Sequence, residues 1–340
     1  MKNKNNHVMR VVQILARPRL VLSLVFFALL SPPALSLDIL IGSSQSGTFN
    51  HRTGRVLCQL INTYADELNC NVRPAEAGLH SSDYIHTLTN VLSGGLDLGI
   101  VDSSIQYDAV NRTGQFEYFD FGFDNLRSLF SLNGIPFTVA ARSIEGLDTF
   151  AGLEGKKVNV GNPGSLQRDI MDKLMHANGW QKKDFLLMEE LPATQSQDTL
   201  ALCFGMVDAV VRFDAHPNAD TKHIVDLCNA RLLNIAGTEV DKLLSDSPYY
   251  VALSIPAGSY ASNREEVITF GLLETIVTTE DLDEETAYLV VKSIFENLDW
   301  LRSLHSAFST LTPTDMHGRG LSVPLHSGAL KYYREQGWMP

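Results

Sequence analysis

Four times along this chain an unbroken apolar run ends in a Gly-, Ser- or Asp-containing loop and gives way to a segment of helical character. "LDILIGSSQSGTFN" leads into "HRTGRVLCQLINTYADEL", "LDLGIVDSS" into "IQYDAVN", "KKVNVGNPGS" into "LQRDIMDKLMHANGW", and "VDAVVRFDAHP" into "NADTKHIVDL". In the first of these Val56, Leu57, Leu60, Ile61 and Tyr64 recur at helical spacing. Runs without polar alternation suit parallel strands buried on both faces, so the repeated strand, loop and helix point to an α/β fold. Two of the runs also resemble each other: "LSGGLDLGIV" (92–101) and "LCFGMVDAVV" (202–211) both carry a helix-ending Gly, an Asp two or three residues on, and a buried strand.

One such run lies in each half of the chain, as expected for two similar α/β lobes. A length of 340 residues accommodates two lobes better than one core. Two extended apolar segments, "IPFTVAARS" (135–143) and "PYYVALSIPAG" (248–258), are expected to cross between them. That places 37–137 with 254–340 in lobe 1 and 138–253 in lobe 2. The stretch "DEETAYLVVKSIFENLDWLRSLH" reads as a strong helix, with Ala287, Val290, Val291, Ile294, Phe295, Leu298 and Leu301 on one stripe.

Residues 1–36 differ in kind. Lys2, Lys4, Arg10, Arg17 and Arg19 precede the 11-residue apolar run "LVLSLVFFALL", and "SPPALS" ends in a small-residue pattern, Ala34-x-Ser36. This is the layout of a secretory signal cleaved near Ser36, which predicts an exported, periplasmic protein. Without those five cations the chain carries 22 Lys and Arg against 39 Asp and Glu, a net charge of −17. Such a surface disfavours nucleic acid, whose binding needs phosphate-neutralising cations. In an oxidising compartment Cys58, Cys70, Cys203 and Cys228 are expected as two disulfides. Four cysteines allow three pairings, and none of the spacings is Cys-x-x-Cys.

Catalytic patterns are missing. "GSSQSG" resembles a Gly-x-Ser-x-Gly nucleophile elbow, but counting from Gly42 puts Ser46 where the second Gly must stand. The ten histidines are dispersed, with no His-Glu-x-x-His, and neither a Walker motif nor a Gly-x-Gly-x-x-Gly fingerprint occurs, so no catalytic residue, metal or cofactor is expected. What remains is the set of loops beyond the strands' carboxyl ends, where doubly wound sheets bind ligands. Those loops hold Ser44, Gln45, Ser46, Thr48 and Phe49; Asp102 and Ser103; Gly164 and Ser165; and Arg212 and Phe213. Hydroxyls and free N–H groups at helix starts suit a carboxylate. Arg212 follows the buried run "DAVV" and must have a partner, either a ligand carboxylate or Asp208 or Asp214. Arg168, one turn into its helix, reads as exposed, and Tyr107 and Asn133 are weaker candidates.

Taken in order, "SGGLDLGIVDSSIQYDAVNRTG", "LRSLFSLNGIPFTVAAR", "GKKVNVGNPGSLQRDIM", "ALCFGMVDAVV", "AHPNA" and "PLHSGALKYYREQGW" resemble the TAXI family of TRAP transporter solute receptors over residues 38–338. The resemblance implies a type II periplasmic-binding-protein fold whose two lobes close over a small molecule. It implies no catalysis, a ligand such as glutamate or a related dicarboxylate, and delivery to an integral-membrane permease driven by an ion gradient. Cysteines paired 58 with 70 and 203 with 228 are also similar to family members. "GLHS" (78–81), Ala215 before His-Pro, and Arg212 depart from the family pattern, and the added cation would suit an extra carboxylate such as that of a keto-dicarboxylate. The expectation is a monomeric receptor for a small organic anion. The rival reading keeps the fold but presents the ligand to a membrane sensor.

Overall fold

In the computed structural model, which describes residues 36–76, 83–119, 122–192 and 195–340, the apolar runs become strands of one mixed sheet. In chain order the strands are β1 (Leu37–Ser43), β2 (Leu68–Pro74), β3 (Leu98–Asp102), β4 (Leu126–Arg142), β5 (Lys157–Asn159), β6 (Leu187–Glu189), β7 (Ala209–Phe213), β8 (Ala230–Leu232), β9 (Val251–Ile255) and β10 (Val267–Thr279). The helices are α1 (Phe49–Tyr64), α2 (Asp83–Leu92), α3 (Ser103–Asn111), α4 (Leu166–Ala177), α5 (Gln195–Cys203), α6 (Ala219–Cys228), α7 (Thr238–Asp246), α8 (Glu284–Phe295), α9 (Leu298–Leu304), α10 (Pro313–Gly318) and α11 (Ser327–Glu335). The expected signal segment and "GLHS" lie outside the described residues, apart from Ser36.

Strand order runs β2-β1-β3-β10-β4-β7-β5-β6. The parallel strands β1, β2 and β3 form one lobe and β5, β6 and β7 the other. Between them lie two long strands that serve both. Residues 126–136 of β4 pair with β10, and residues 137–141 pair with β7. In β10, residues 267–271 pair with β9, and residues 271–279 pair with β4 while 274–277 also pair with β3. The first crossing therefore falls within the expected segment. The second does not: residues 248–258 hold β9, which runs only alongside β10, and β10 itself makes the crossing. At that crossing a Cβ on Gly271 would lie 2.1 Å from the Ile135 carbonyl oxygen, so only glycine permits this approach of the two backbones.

The internal resemblance has a physical basis. The Asp97 carboxylate accepts from the Leu40 N–H (2.7 Å) and its own N–H donates to the Leu40 carbonyl (3.1 Å), fixing β3 beside β1. Asp208 does the same to Lys157 (3.0 and 2.6 Å), fixing β7 beside β5. Each lobe thus uses one Asp to clamp the start of its neighbouring parallel strand.

Helices cover both faces. Leu57, Leu60 and Ile61 of α1 pack with Val290, Val291 and Ile294 of α8 and with Tyr332 and Tyr333 of α11, while Ile170, Met171 and Leu174 of α4 fill the core of the other lobe. A fully buried side chain of this kind contributes about 1.5–3 kcal/mol. All seven stripe residues of the segment beginning at Asp283 are buried, yet that segment is two helices. Asn297 leaves the helical conformation and turns its side chain back onto the Ser293 carbonyl (2.9 Å). Disulfides Cys58–Cys70 and Cys203–Cys228 tie α1 to β2 and α5 to α6.

Candidate functional site

Loops following β3, β5 and β7 meet between the lobes around a cavity of about 760 Å³. Tyr84, Asp102, Ser104, Asp108 and Phe116 line it from one side, and Asn162, Gly164, Ser165, Asp169 and Phe213 from the other. Its volume suits a small organic molecule, and its place beyond the carboxyl ends of parallel strands is where such sheets bind ligands. An open groove of similar size along α1 and β2 lies within one lobe.

The helix starts around the cavity differ. Asp102 Oδ1 caps α3, accepting from the N–H groups of Ser104 (2.9 Å) and Ile105 (3.1 Å) and from the Ser104 hydroxyl (2.6 Å). Thr48 caps α1 and Asn218 caps α6. At α4, by contrast, Ser165 stands in the cap position but donates its hydroxyl to the Asn162 carbonyl (2.7 Å), so no side chain caps the helix. Gly164 supplies the left-handed φ of +81° that the Asn-Pro-Gly-Ser turn requires. The Arg168 and Asp169 N–H groups donate to the Ser165 carbonyl, which leaves those of Leu166 and Gln167, two residues that line the cavity, as donors open to an acceptor among the described residues.

Of the residues singled out from sequence, the cavity brings together Asp102, Gly164, Ser165 and Phe213. Ser103 does not line it and serves the scaffold instead. The Ser103 Oγ donates to the Tyr249 carbonyl (2.8 Å) and accepts from the Leu273 N–H (3.2 Å), tying the lobes together. The loop after β1 goes elsewhere. The Ser44 N–H is held by Asn50 (2.8 Å), Thr48 donates to the Gln45 carbonyl (2.8 Å), Ser46 is exposed, and the Phe49 ring packs on His305 and Phe308.

Arg212 is 4% exposed and its guanidinium is enclosed by carboxylates: Asp198 at 2.7 Å, Asp214 at 2.9 Å and Asp220 at 3.8 Å. Desolvation raises Asp198 to about 6 against the opposing pull of this arginine. Asp214 is one of the two partners expected for a structural pair, whereas Asp208 instead meets Arg142. Arg168 is 15% exposed, not open to solvent, because it bridges Asp172 and Glu190 at 2.8 and 2.7 Å. Tyr107 stacks against Tyr249, with ring centroids 4.9 Å apart.

Sequence reasoning passed over the acids. Asp108 and Asp169 line the cavity, and Glu274, on β10 opposite Asp102, lies buried behind it. Burial raises Asp102 above the usual carboxylate range, an effect that its hydrogen bonds to Ser104 and Ile105 only partly offset. Burial likewise pushes Glu274 up to about 7. Asn50, Asn133 and Thr53 stand beside the carboxyl and partly offset that rise, yet Glu274 Oε2, Asn50 Nδ2 and Asn133 Oδ1 have no partner within 3.5 Å among the described residues. A charged residue inside the apolar run "VITFGLLETIVTT" was the available sequence signal.

Among the described residues no helix is long and apolar enough to cross a membrane, and no group of three or more His, Cys, Asp or Glu side chains is placed to hold a metal ion. The model of the NMT1-like family matches residues 41–337. Among solved structures, a TctC solute binding protein from Polaromonas is similar with a TM-score of 0.51 at 12% identity, covering 91% of this chain and 97% of that one. A periplasmic sulfonate-binding protein SsuA from Methylobacillus flagellatus KT matches with a TM-score of 0.48 at 13% identity over 89% and 88%. At these identities the likeness concerns the fold, two α/β lobes joined by two crossing strands.

Proposed function

The chain belongs to the NMT1-like family, and from that premise we propose that it is an extracytoplasmic solute receptor, closing its two lobes on a small organic molecule and handing it to a membrane permease. The observation that carries the reading is the cavity lined from both lobes, since a ligand stabilises a closed state only by contacting both sides. β4 and β10 supply the pair of crossing strands about which such lobes move. The printed name of the similar Polaromonas structure, a solute binding protein, points the same way.

The finer part of the proposal is a TRAP-type permease and a solute that bears a carboxylate. It is supported by the TAXI-like motifs and by the uncapped start of α4, which offers main-chain donors to one carboxylate. No chemistry on the solute is required of the site. A thermal-shift screen tests the reading: a ligand at 100 times its Kd should stabilise the protein by about 2.7 kcal/mol. Failure of every amino acid, amine and organic acid to shift the melting temperature would refute it.

A further inference from the structure

The cavity contains an imbalance of charge. Asp102, Asp108 and Asp169 contribute carboxylates to its wall, and among the described residues no Lys, Arg or His lines it. Asp102 is 1% exposed; Oδ1 is used in capping α3, and no cation among the described residues contacts the carboxylate. Glu274, 2% exposed and opposite Asp102 across β3 and β10, adds a second buried acid without a counterion among those residues. A buried carboxylate without a partner is costly, and the cost is met by a cation, by a metal, or by the acid keeping its proton.

The cations nearby are already engaged. Arg212 is held by Asp198, Asp214 and Asp220, and Arg168 by Asp172 and Glu190. Lys173, one turn beyond Asp169 on α4, donates to the Tyr249 and Tyr250 hydroxyls at 3.0 and 3.3 Å and its charge favours the ionised form of Asp169, so it serves that acid and not Asp102 or Asp108. A metal ion is no better answer, because no three of these acids converge with metal-ligand geometry. Among the described residues Asp102 and Asp108 have no ion-pair partner, and a cationic group on the solute would supply one.

Resting on the solute-receptor reading, we infer that the solute carries a protonated amine seated against Asp102, Asp108 and Asp169, and that its net charge is zero or positive. Its carboxylate, where it has one, takes the start of α4. Asp102 and Asp108 stand on one wall and the start of α4 on the other, where Asp169 follows the N–H donors within the first turn, so a zwitterion's ammonium faces acids on both walls while its carboxylate meets the helix start. A plain dicarboxylate fits poorly, since its second carboxylate would meet like charge in a confined space. Tyr84 and Phe213 add aromatic surface suited to an ammonium or to the carbon chain beside it.

The test is a binding screen by thermal shift and calorimetry at pH 7.5. Glutarate, 5-aminopentanoate and 1,5-diaminopentane share one chain length and differ in charge, and the proteinogenic amino acids and a set of amine-free mono- and dicarboxylates complete the panel. The expected result is that every binder carries an amine and has net charge zero or above, and that Asp102→Asn weakens the best of them at least tenfold. Asparagine keeps the oxygen that caps α3, so this variant should melt no lower than the parent without ligand. Asp169→Asn, in an exposed first-turn position, provides a second variant and should weaken the same ligand several-fold. A tight amine-free binder, or unchanged affinity in both variants, overturns the inference while leaving the receptor reading intact. Silence across the whole panel overturns both.

Discussion

Replacing Glu274 by glutamine should stabilise this protein increasingly as the pH rises from about 4.5 to 7, and fully above that. The carboxyl is 2% exposed, sits opposite Asp102, and is raised from 4.5 to about 7 chiefly by burial. A rise of that size means that ionising it in the folded chain costs about 3 kcal/mol more than in the unfolded one. For an acid raised in this way, the stability contribution is complete below pH 4.5 and disappears as the pH climbs through 7. Glutamine is neutral throughout, and its amide can donate to the Asn133 Oδ1 that now has no partner among the described residues. Urea unfolding of the parent and Glu274→Gln at pH 5 and pH 8.5 should show near equality at the lower pH and an advantage of about 2–3 kcal/mol for the variant at the higher. With an unfolding entropy of roughly 2 cal/mol/K per residue, that gap corresponds to about 3–4 °C in Tm for a chain of this length. A variant less stable than the parent at pH 8.5, or a gap independent of pH, would refute the reasoning.

Arg212→Ala should lower apo stability by about 3–5 kcal/mol, because it leaves the fully buried Asp198 without its partner; denaturation without ligand measures this, and an unchanged melting temperature would contradict it. Gly271→Ala should be more disruptive than an ordinary strand substitution, since the added Cβ meets the Ile135 carbonyl; soluble yield and circular dichroism report the outcome. Reducing Cys58–Cys70 and Cys203–Cys228, which close loops of 12 and 25 residues, should cost up to about 3 kcal/mol each, read as a fall in Tm with reductant. Ser103→Ala removes a hydroxyl that both donates to Tyr249 and accepts from Leu273, and should cost about 1–3 kcal/mol in the apo melt.

Much of the architecture was readable because it rests on local regularities. Unalternated strands, the Gly and Asp pattern at 95 and 97 and again at 205 and 208, and the helical stripes of α1 and α8 each have one physical cause, and the structure keeps them except at the end of α1, where Tyr64 is exposed. The role of β10 was harder to see: its sequence and that of 248–258 are both extended and apolar, and which one spans the lobes depends on pairing partners distant in the chain. At the site, fold logic identified Asp102, Gly164, Ser165 and Phe213, which end strands or start helices. It could not show that Arg212 on β7 would be neutralised by Asp198 from α5, nor that Asp108 and Asp169 would join Asp102 in an acidic cavity wall. Those are properties of tertiary juxtaposition, where charge balance is set by residues remote in sequence.

The central claim is that two lobes close on a solute held between them. All four cysteines are disulfide-bonded, so Tyr118→Cys and Leu186→Cys, at positions 84% and 73% exposed on opposite lobes, can be spin-labelled selectively. The distance between the labels, measured by pulsed electron resonance with and without a compound that raises the melting temperature, should collapse from a broad distribution to a single narrower one on binding. An identical distribution in both states, with the compound bound, would contradict the account.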